Sequence, residues 1–255
     1  MHGFPHRHLY QKLVREGKVW SQLSHPSITP FIGISFNVGH GQPGSPALVC
    51  PYYVNGNLVN YLESYPDANA IRLLAEAAEA LAYLHSLEPH SIIHGDIKAS
   101  NILVNDEGHV CLADFGLSRI LEMRGFTTKS TGGSYRWLAY ELVVASLEEE
   151  EELPPLTRAS DTWAFGMTIL QVKTGKVPYH TINFDPTVIF TLLKRELPQR
   201  PITFADGLWR ILLHCWTLNP AGRPSMKAVA HALEAFDKND GLTPAEIDDV
   251  LDEIA

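Results

Sequence analysis

Two polar clusters flanking a stretch just long enough for one short hairpin constrain this chain more than any other feature. The first is His94-Gly95-Asp96-Ile97-Lys98-Ala99-Ser100-Asn101, and the second begins at Asp114-Phe115-Gly116. Between them, Ile102 to Val104 and His109 to Leu112 lean toward strand and flank Asn105-Asp-Glu-Gly108, a tight-turn composition. Taken singly, Asp96 and Asn101 read as turn formers and Asp114 as a helix cap. Four polar residues in register around one hairpin, Asp96, Lys98, Asn101 and Asp114, argue for shared chemistry instead.

The surrounding pattern is α+β. Residues 9 to 24 carry Leu9, Leu13, Val14, Trp20 and Leu23 with charges between them, a helical pattern that ends before His25-Pro26. Pro30 to Phe36 and Ala47 to Val54 then read as a hairpin around a Gly/Pro-rich loop. Ala68 to Leu87 is the strongest helix, with Leu74, Ala77, Ala78, Leu81 and Leu84 at helical spacing. Beyond residue 155 the spacing predicts helices over 160–173, 187–193, 208–216 and 225–235. With 45% hydrophobic residues in 255, the chain has apolar mass for a real core, which rules out disorder over most of its length.

The net charge of -9 is localised. Five glutamates form the run Glu148 to Glu152, and eight acids with one lysine lie between Glu234 and Ala255; elsewhere 19 basic residues face 16 acidic ones. Nucleic acid is therefore not an expected partner. The glutamate run reads as a solvated insertion. Asp237-Lys-Asn-Asp-Gly241 with Glu246 is one residue short of a calcium loop, and an acidic helical tail is expected there. Cys50, Cys111 and Cys215 are scattered and odd in number, as in a reducing compartment, so a cytoplasmic or nuclear location is expected. No apolar run approaches the ~18 residues that span a bilayer, and no membrane is expected.

The two clusters resemble the catalytic loop and the D-F-G motif of eukaryotic protein kinases. The resemblance continues through Gly133-Ser134-Tyr135-Arg136-Trp137-Leu138-Ala139-Tyr140-Glu141, similar to the end of an activation segment, and Ser160-Asp161-Thr162-Trp163, similar to the start of the central large-lobe helix. It includes Cys215-Trp216 with Asn219-Pro-Ala-Gly-Arg223-Pro224 and covers residues 9 to 236. It implies a protein kinase-like two-lobe fold with a truncated small β lobe and a mainly helical large lobe. The units are 1–54 (small lobe and hinge), 55–236 (large lobe) and 237–255 (acidic tail).

The resemblance implies ATP and Mg²⁺ as cofactors and a protein as substrate. Asp96 would accept the hydroxyl proton, Lys98 would offset charge on the transferring phosphate, and Asn101 and Asp114 would hold the metal. Cys50 to Leu58 resembles the hinge, where Pro51 and Tyr53 would offer backbone groups to adenine. Arg223 is expected to pair with Glu141. Lys98 and Ser134 point to serine/threonine specificity, and the Arg-Trp and Cys-Trp features look most like the tyrosine-kinase-like branch.

Departures from the family give the alternative, a catalytically impaired pseudokinase acting as a scaffold or allosteric binding module. The Gly-rich strand pair and the lysine strand are not found before Leu9, so the usual lysine partner of Glu16 is not expected, and Lys12 or Lys18 could approach the phosphates in its place only if the helix shifted. A natural start upstream of Met1 would reconcile the two readings. Gly95 stands where the family carries an arginine that grips an activation-segment phosphate, so Thr127, Thr128, Ser130 and Thr131 could not switch the chain through that residue.

Overall fold

The computed structural model describes residues 7–36, 47–89, 91–114, 134–145 and 155–254, without the side chains of 7–12 and Arg15. Phe115 and Gly116, the four candidate phosphosites and the glutamate run lie outside these residues. The architecture is a small unit of one helix and one strand pair on a larger, mainly helical lobe.

Helix α1 (Arg7–Trp20) is followed by β1 (Gly33–Ser35) and β2 (Ala47–Val49), antiparallel with Gly33 opposite Val49. The helix stops earlier than its apolar spacing predicts. The Trp20 indole donates to the Thr29 carbonyl at 2.6 Å, which requires the chain to turn back at once. The second strand is also shorter than expected. At Pro51 the backbone has no N–H to continue a ladder, and a turn from the Tyr53 carbonyl to the Gly56 N–H (3.1 Å) redirects it.

The large lobe begins with α2 (Leu58–Ser64) and α3 (Ala70–Ser86). Asn69 caps α3 by accepting the Arg72 N–H, and one face from Ile71 to Leu84 is buried, as alanines and leucines at this spacing require. Strands β3 (Ile102–Val104) and β4 (Val110–Leu112) form the expected antiparallel hairpin, Ile102 opposite Leu112. The Thr29 N–H donates to the Leu112 carbonyl (3.0 Å) and the Leu112 N–H to the Ser27 carbonyl (2.9 Å), so the exit from α1 is stitched to the hairpin.

Helices α4 (Tyr140–Ala145), α5 (Arg158–Thr174), α6 (Asp185–Leu193), α7 (Asp206–Cys215), α8 (Met226–Lys238) and α9 (Pro244–Asp252) complete the lobe. Thr157 and Ser160 form a capping box for α5, and Gly175 closes it in the left-handed region at φ 66. Every residue from Ser160 to Leu170 is buried, which makes α5 the axis of the lobe. It approaches α7 very closely at Gly166, where an added Cβ would lie 2.7 Å from Trp216 Nε1 and 2.8 Å from Cys215 Cβ. Gly166→Ala is therefore expected to lower stability by about 1–3 kcal/mol through overpacking. Thermal unfolding checks this, and an unchanged midpoint would mean the two helices separate freely.

The acidic stretch 237–255 contains the expected helix, and that helix is packed against the lobe. Ile247 and Leu251 of α9 are buried in the large-lobe core, and the helix packs on α7 and α8. Its acids serve locally: Glu246 closes a capping box with Thr243, and Asp248 accepts from Arg210 and His214. Among the described residues no helix is long and apolar enough to cross a membrane.

Candidate active site

Residues 94–101 run from α3 toward β3 along α5, which holds them at Asp161 and also through Thr168 Oγ1 to the Ile97 carbonyl and the Ala99 N–H to Gln171 Oε1. Asp161, 1% exposed in the first turn of α5, accepts the His94 N–H and the Gly95 N–H, each at 2.8 Å, and His85 Nε2 at 2.9 Å. Gly95 adopts φ 79, where a side chain is strained. Sequence reasoning missed this role of Asp161. Sequence reading placed Asp161 only at the start of the central helix, and its partners lie 66 to 76 positions earlier in the chain.

His94 is fully buried and bridges the two clusters. Its Nε2 lies 3.0 Å from the Ala113 carbonyl, next to Asp114, and its Nδ1 lies 3.3 Å from the Asp96 N–H. The first contact needs a proton on Nε2 and the second a lone pair on Nδ1, the pattern of a neutral ring. Burial pushes the His94 pKa down, against the raising influence of Asp161. The folded chain therefore resists protonating this ring while the unfolded chain takes up a proton below its ordinary value of 6.5. Unfolding free energy is expected to fall as pH drops from about 6.5 toward the folded value, by up to about 1.4 kcal/mol per unit. Denaturant titrations from pH 7.5 to 5.5, with His94→Asn as comparison, measure that slope.

Asp96, Lys98 and Asn101 form one connected set. Lys98 Nζ lies 2.7 Å from Asp96 Oδ2 and donates to Ser134 Oγ at 2.8 Å. Asn101, 8% exposed, donates from Nδ2 to the Asp96 carbonyl and to Asp96 Oδ2, both at 2.8 Å. This fixes the amide with its oxygen directed away from Asp96. The Ala113 N–H donates to the Asn101 carbonyl at 3.0 Å, so the hairpin brings Asp114 beside Asn101.

Asp114 is exposed and left-handed at φ 58. An amide oxygen and a carboxylate are hard donors that suit a cation of the magnesium type, which takes one or two protein oxygens and fills its shell with waters or phosphate oxygens. Among the described residues no group of three or more His, Cys, Asp or Glu could form a closed metal cage. The donor set thus fits a metal shared with a ligand.

The hinge faces this site. Cys50 is half-buried, and its thiol is pushed up first by burial and then by the negative charge of Asp114, which makes the two electrostatic neighbours. Tyr53 points its phenol toward Cys111 and is raised chiefly by burial, while Tyr52 is 87% exposed. The Tyr53 carbonyl accepts the Gly56 N–H at 3.1 Å, and Pro51 has no N–H to donate. Lys18 is exposed, and the Lys12 side chain lies outside the described residues.

The Ser134–Trp137 turn is anchored to the lobe by Arg136, which donates to Asp185 and to the carbonyls of Pro178, Tyr179 and Ile182. Behind it, the expected Arg223–Glu141 pair is present and bidentate, at 2.8 and 2.6 Å.

A family profile described as protein tyrosine and serine/threonine kinase matches residues 5–233. Serine/threonine/tyrosine-protein kinase HT1 of Arabidopsis thaliana is 30% identical over 90% of this chain and 56% of its own length. Receptor-interacting serine/threonine-protein kinase 3 of Rattus norvegicus is 31% identical over 85% of this chain and 47% of its own. Tyrosine-protein kinase SRK2 of Spongilla lacustris is 30% identical over 87% and 58%. The chain spans about half the length of these curated relatives.

Proposed function

The chain belongs to the family of protein tyrosine and serine/threonine kinases, and from that premise we propose that it transfers the γ-phosphoryl group of ATP to serine or threonine hydroxyls of a protein substrate in intracellular signalling. The observation that carries this reading is the connected set of Asp96, Lys98, Asn101 and Ser134. A base for the incoming hydroxyl, a cation beside it and an amide that orients the base are held in one geometry. Phosphoryl transfer asks a protein for positioning and charge rather than covalent chemistry, and these residues supply both.

In this reading Asn101 Oδ1 and the Asp114 carboxylate hold Mg²⁺, which when bound neutralises charge on the phosphate oxygens. Lys98, bridging Asp96 and Ser134, ties the base to the loop that a substrate backbone would follow. The resemblance of Lys98 and Ser134 to the serine/threonine type of catalytic loop supports serine/threonine over tyrosine acceptors.

The test is calorimetric titration of the purified chain with ATP, with and without Mg²⁺, alongside Asp114→Asn. Metal-dependent binding weakened at least about tenfold by the substitution is expected, because the carboxylate, the one charged oxygen ligand of the two that the protein would offer the metal, is lost. Phosphorylation of peptides differing only in Ser, Thr or Tyr then reads the specificity. A folded chain with no metal-dependent binding would overturn the enzymatic reading in favour of a scaffold.

A further inference from the structure

At the C-terminal end of α5 the large lobe holds a cavity of about 570 Å³. Lys173, Lys176, His180 and Arg200 line it, with Phe204, Leu208 and Phe236 among the apolar walls, and among the described residues no carboxylate lines it. That absence is notable in a chain with 29 acidic and 20 basic residues. Arg200 is already committed to Asp206 and to the Phe204 carbonyl. The ammonium groups of Lys173 and Lys176 have no carboxylate partner among the described residues. Beside the cations stand two exposed aliphatic side chains, Val177 at 40% and Ile202 at 103%. A half-open site of this size, cationic at the mouth and apolar at the wall and rim, is complementary to an acidic peptide that also carries aliphatic side chains.

One stretch of the chain has that chemistry. Five consecutive glutamates, Glu148 to Glu152, are flanked by Leu147 and Leu153. We propose that this cavity is a docking site for residues 147–153 of a second copy of the chain, the glutamates meeting Lys173 and Lys176 and a flanking leucine meeting Ile202 and the apolar wall.

A second copy is favoured over the same molecule by reach. Arg223 joins Glu141 of α4 to the Ala159 carbonyl, so the two elements that anchor the acidic run start side by side at the near end of α5. Lys173 lies about 22 Å farther along that helix at 1.5 Å per residue. Glu150 is five residues from Ala145 and from Pro155, a span of at most about 17 Å for each arm. The backbone of either arm falls short of that distance, so docking in cis would extend both arms fully and leave the side chains to bridge the remainder, with the backbone entropy of the whole loop lost. A second molecule meets no such constraint.

The test uses the full chain and needs no catalysis, so it stands apart from the kinase reading and is run equally on Asp96→Asn. Sedimentation velocity in low salt is expected to show concentration-dependent self-association that weakens as salt is raised. The double variant K173E/K176E and a variant with Glu148 to Glu152 changed to glutamine are each expected to be monomeric with unaltered circular dichroism and melting. Mixed together they are expected to form a heteromer, since one retains the acidic segment and the other the intact cavity. A peptide of residues 146–155 should bind the wild-type chain saturably, and the K173E/K176E chain at least about tenfold more weakly. A monomeric wild-type chain, a mixture that stays monomeric, or a peptide with both leucines replaced by serine that binds as tightly would each overturn the proposal. So would heparin competing as effectively as the peptide, which would make the cavity a general polyanion site.

Discussion

Asp96→Asn is expected to lower the phosphotransfer rate by about 10²–10⁴-fold, the usual contribution of a positioned base. The substitution keeps the shape of the side chain, and Asn101 retains its hydrogen bond to the Asp96 carbonyl. Lys98 retains Ser134. What disappears is the carboxylate that Lys98 and Asn101 both address. Because Asp114 and the hinge are untouched, affinity for Mg-ATP is expected to change little while kcat collapses. Single-turnover phosphorylation of a peptide, paired with nucleotide titration, separates the two quantities. A kcat within a few-fold of wild type would remove Asp96 from the role of base and would require another acceptor for the hydroxyl proton.

The second large effect is structural. Glu141→Ala leaves the Arg223 side chain, 0% exposed, without its carboxylate. Breaking a buried ion pair from one side costs about 3–5 kcal/mol, because the remaining charge stays out of water. For a chain of this size each kcal/mol moves the melting midpoint by roughly 2–4 °C, so a drop on the order of 10 °C is expected in thermal unfolding. Arg223 keeps the carbonyls of Thr217 and Ala159 and the face of Trp163, which limits how far it can move to find water. Glu141→Gln, which still offers one acceptor oxygen, should fall between wild type and alanine. An alanine variant as stable as wild type would show that the guanidinium finds solvent and that the pair orders the segment without stabilising it.

The parts of this protein that could be read from sequence share one property: their determinants lie within a few residues of each other. Alanines and leucines from Ala70 to Ser86 repeat at the helical period, and the β3–β4 hairpin carries its own turn. Asp96, Lys98, Asn101 and Asp114 were found because the hairpin that joins them is short. The Arg223–Glu141 pair, far apart in sequence, was reached only through family resemblance.

Relations created by packing alone gave no local signal. Asp161 meets His85, His94 and Gly95 only when α5 is laid beneath the loop. Arg136 finds three carbonyls that any residue type could have supplied. Residues 237–255 read as an acidic helical tail, and what the charge density hid is that Ile247 and Leu251 bury α9 against the lobe. The mouth of the basic cavity draws on three separate segments, and its cations are ordinary surface residues until the chain folds.

The Asp161 carboxylate has a mechanical meaning. Because it sits on the most deeply buried helix and grips the loop at two successive amides, the position of Asp96 is referenced to the centre of the large lobe, as a tool is clamped to the bed of a lathe. The hinge and the α1 region take their bearings from elsewhere, through Thr29 and the hairpin edge. In the proposed kinase reading, a rocking of α1 and the β1–β2 pair against the large lobe would change where a nucleotide rests and leave the aim of Asp96 unaltered. Control exercised through such a motion would then act on alignment of the phosphate with a fixed acceptor.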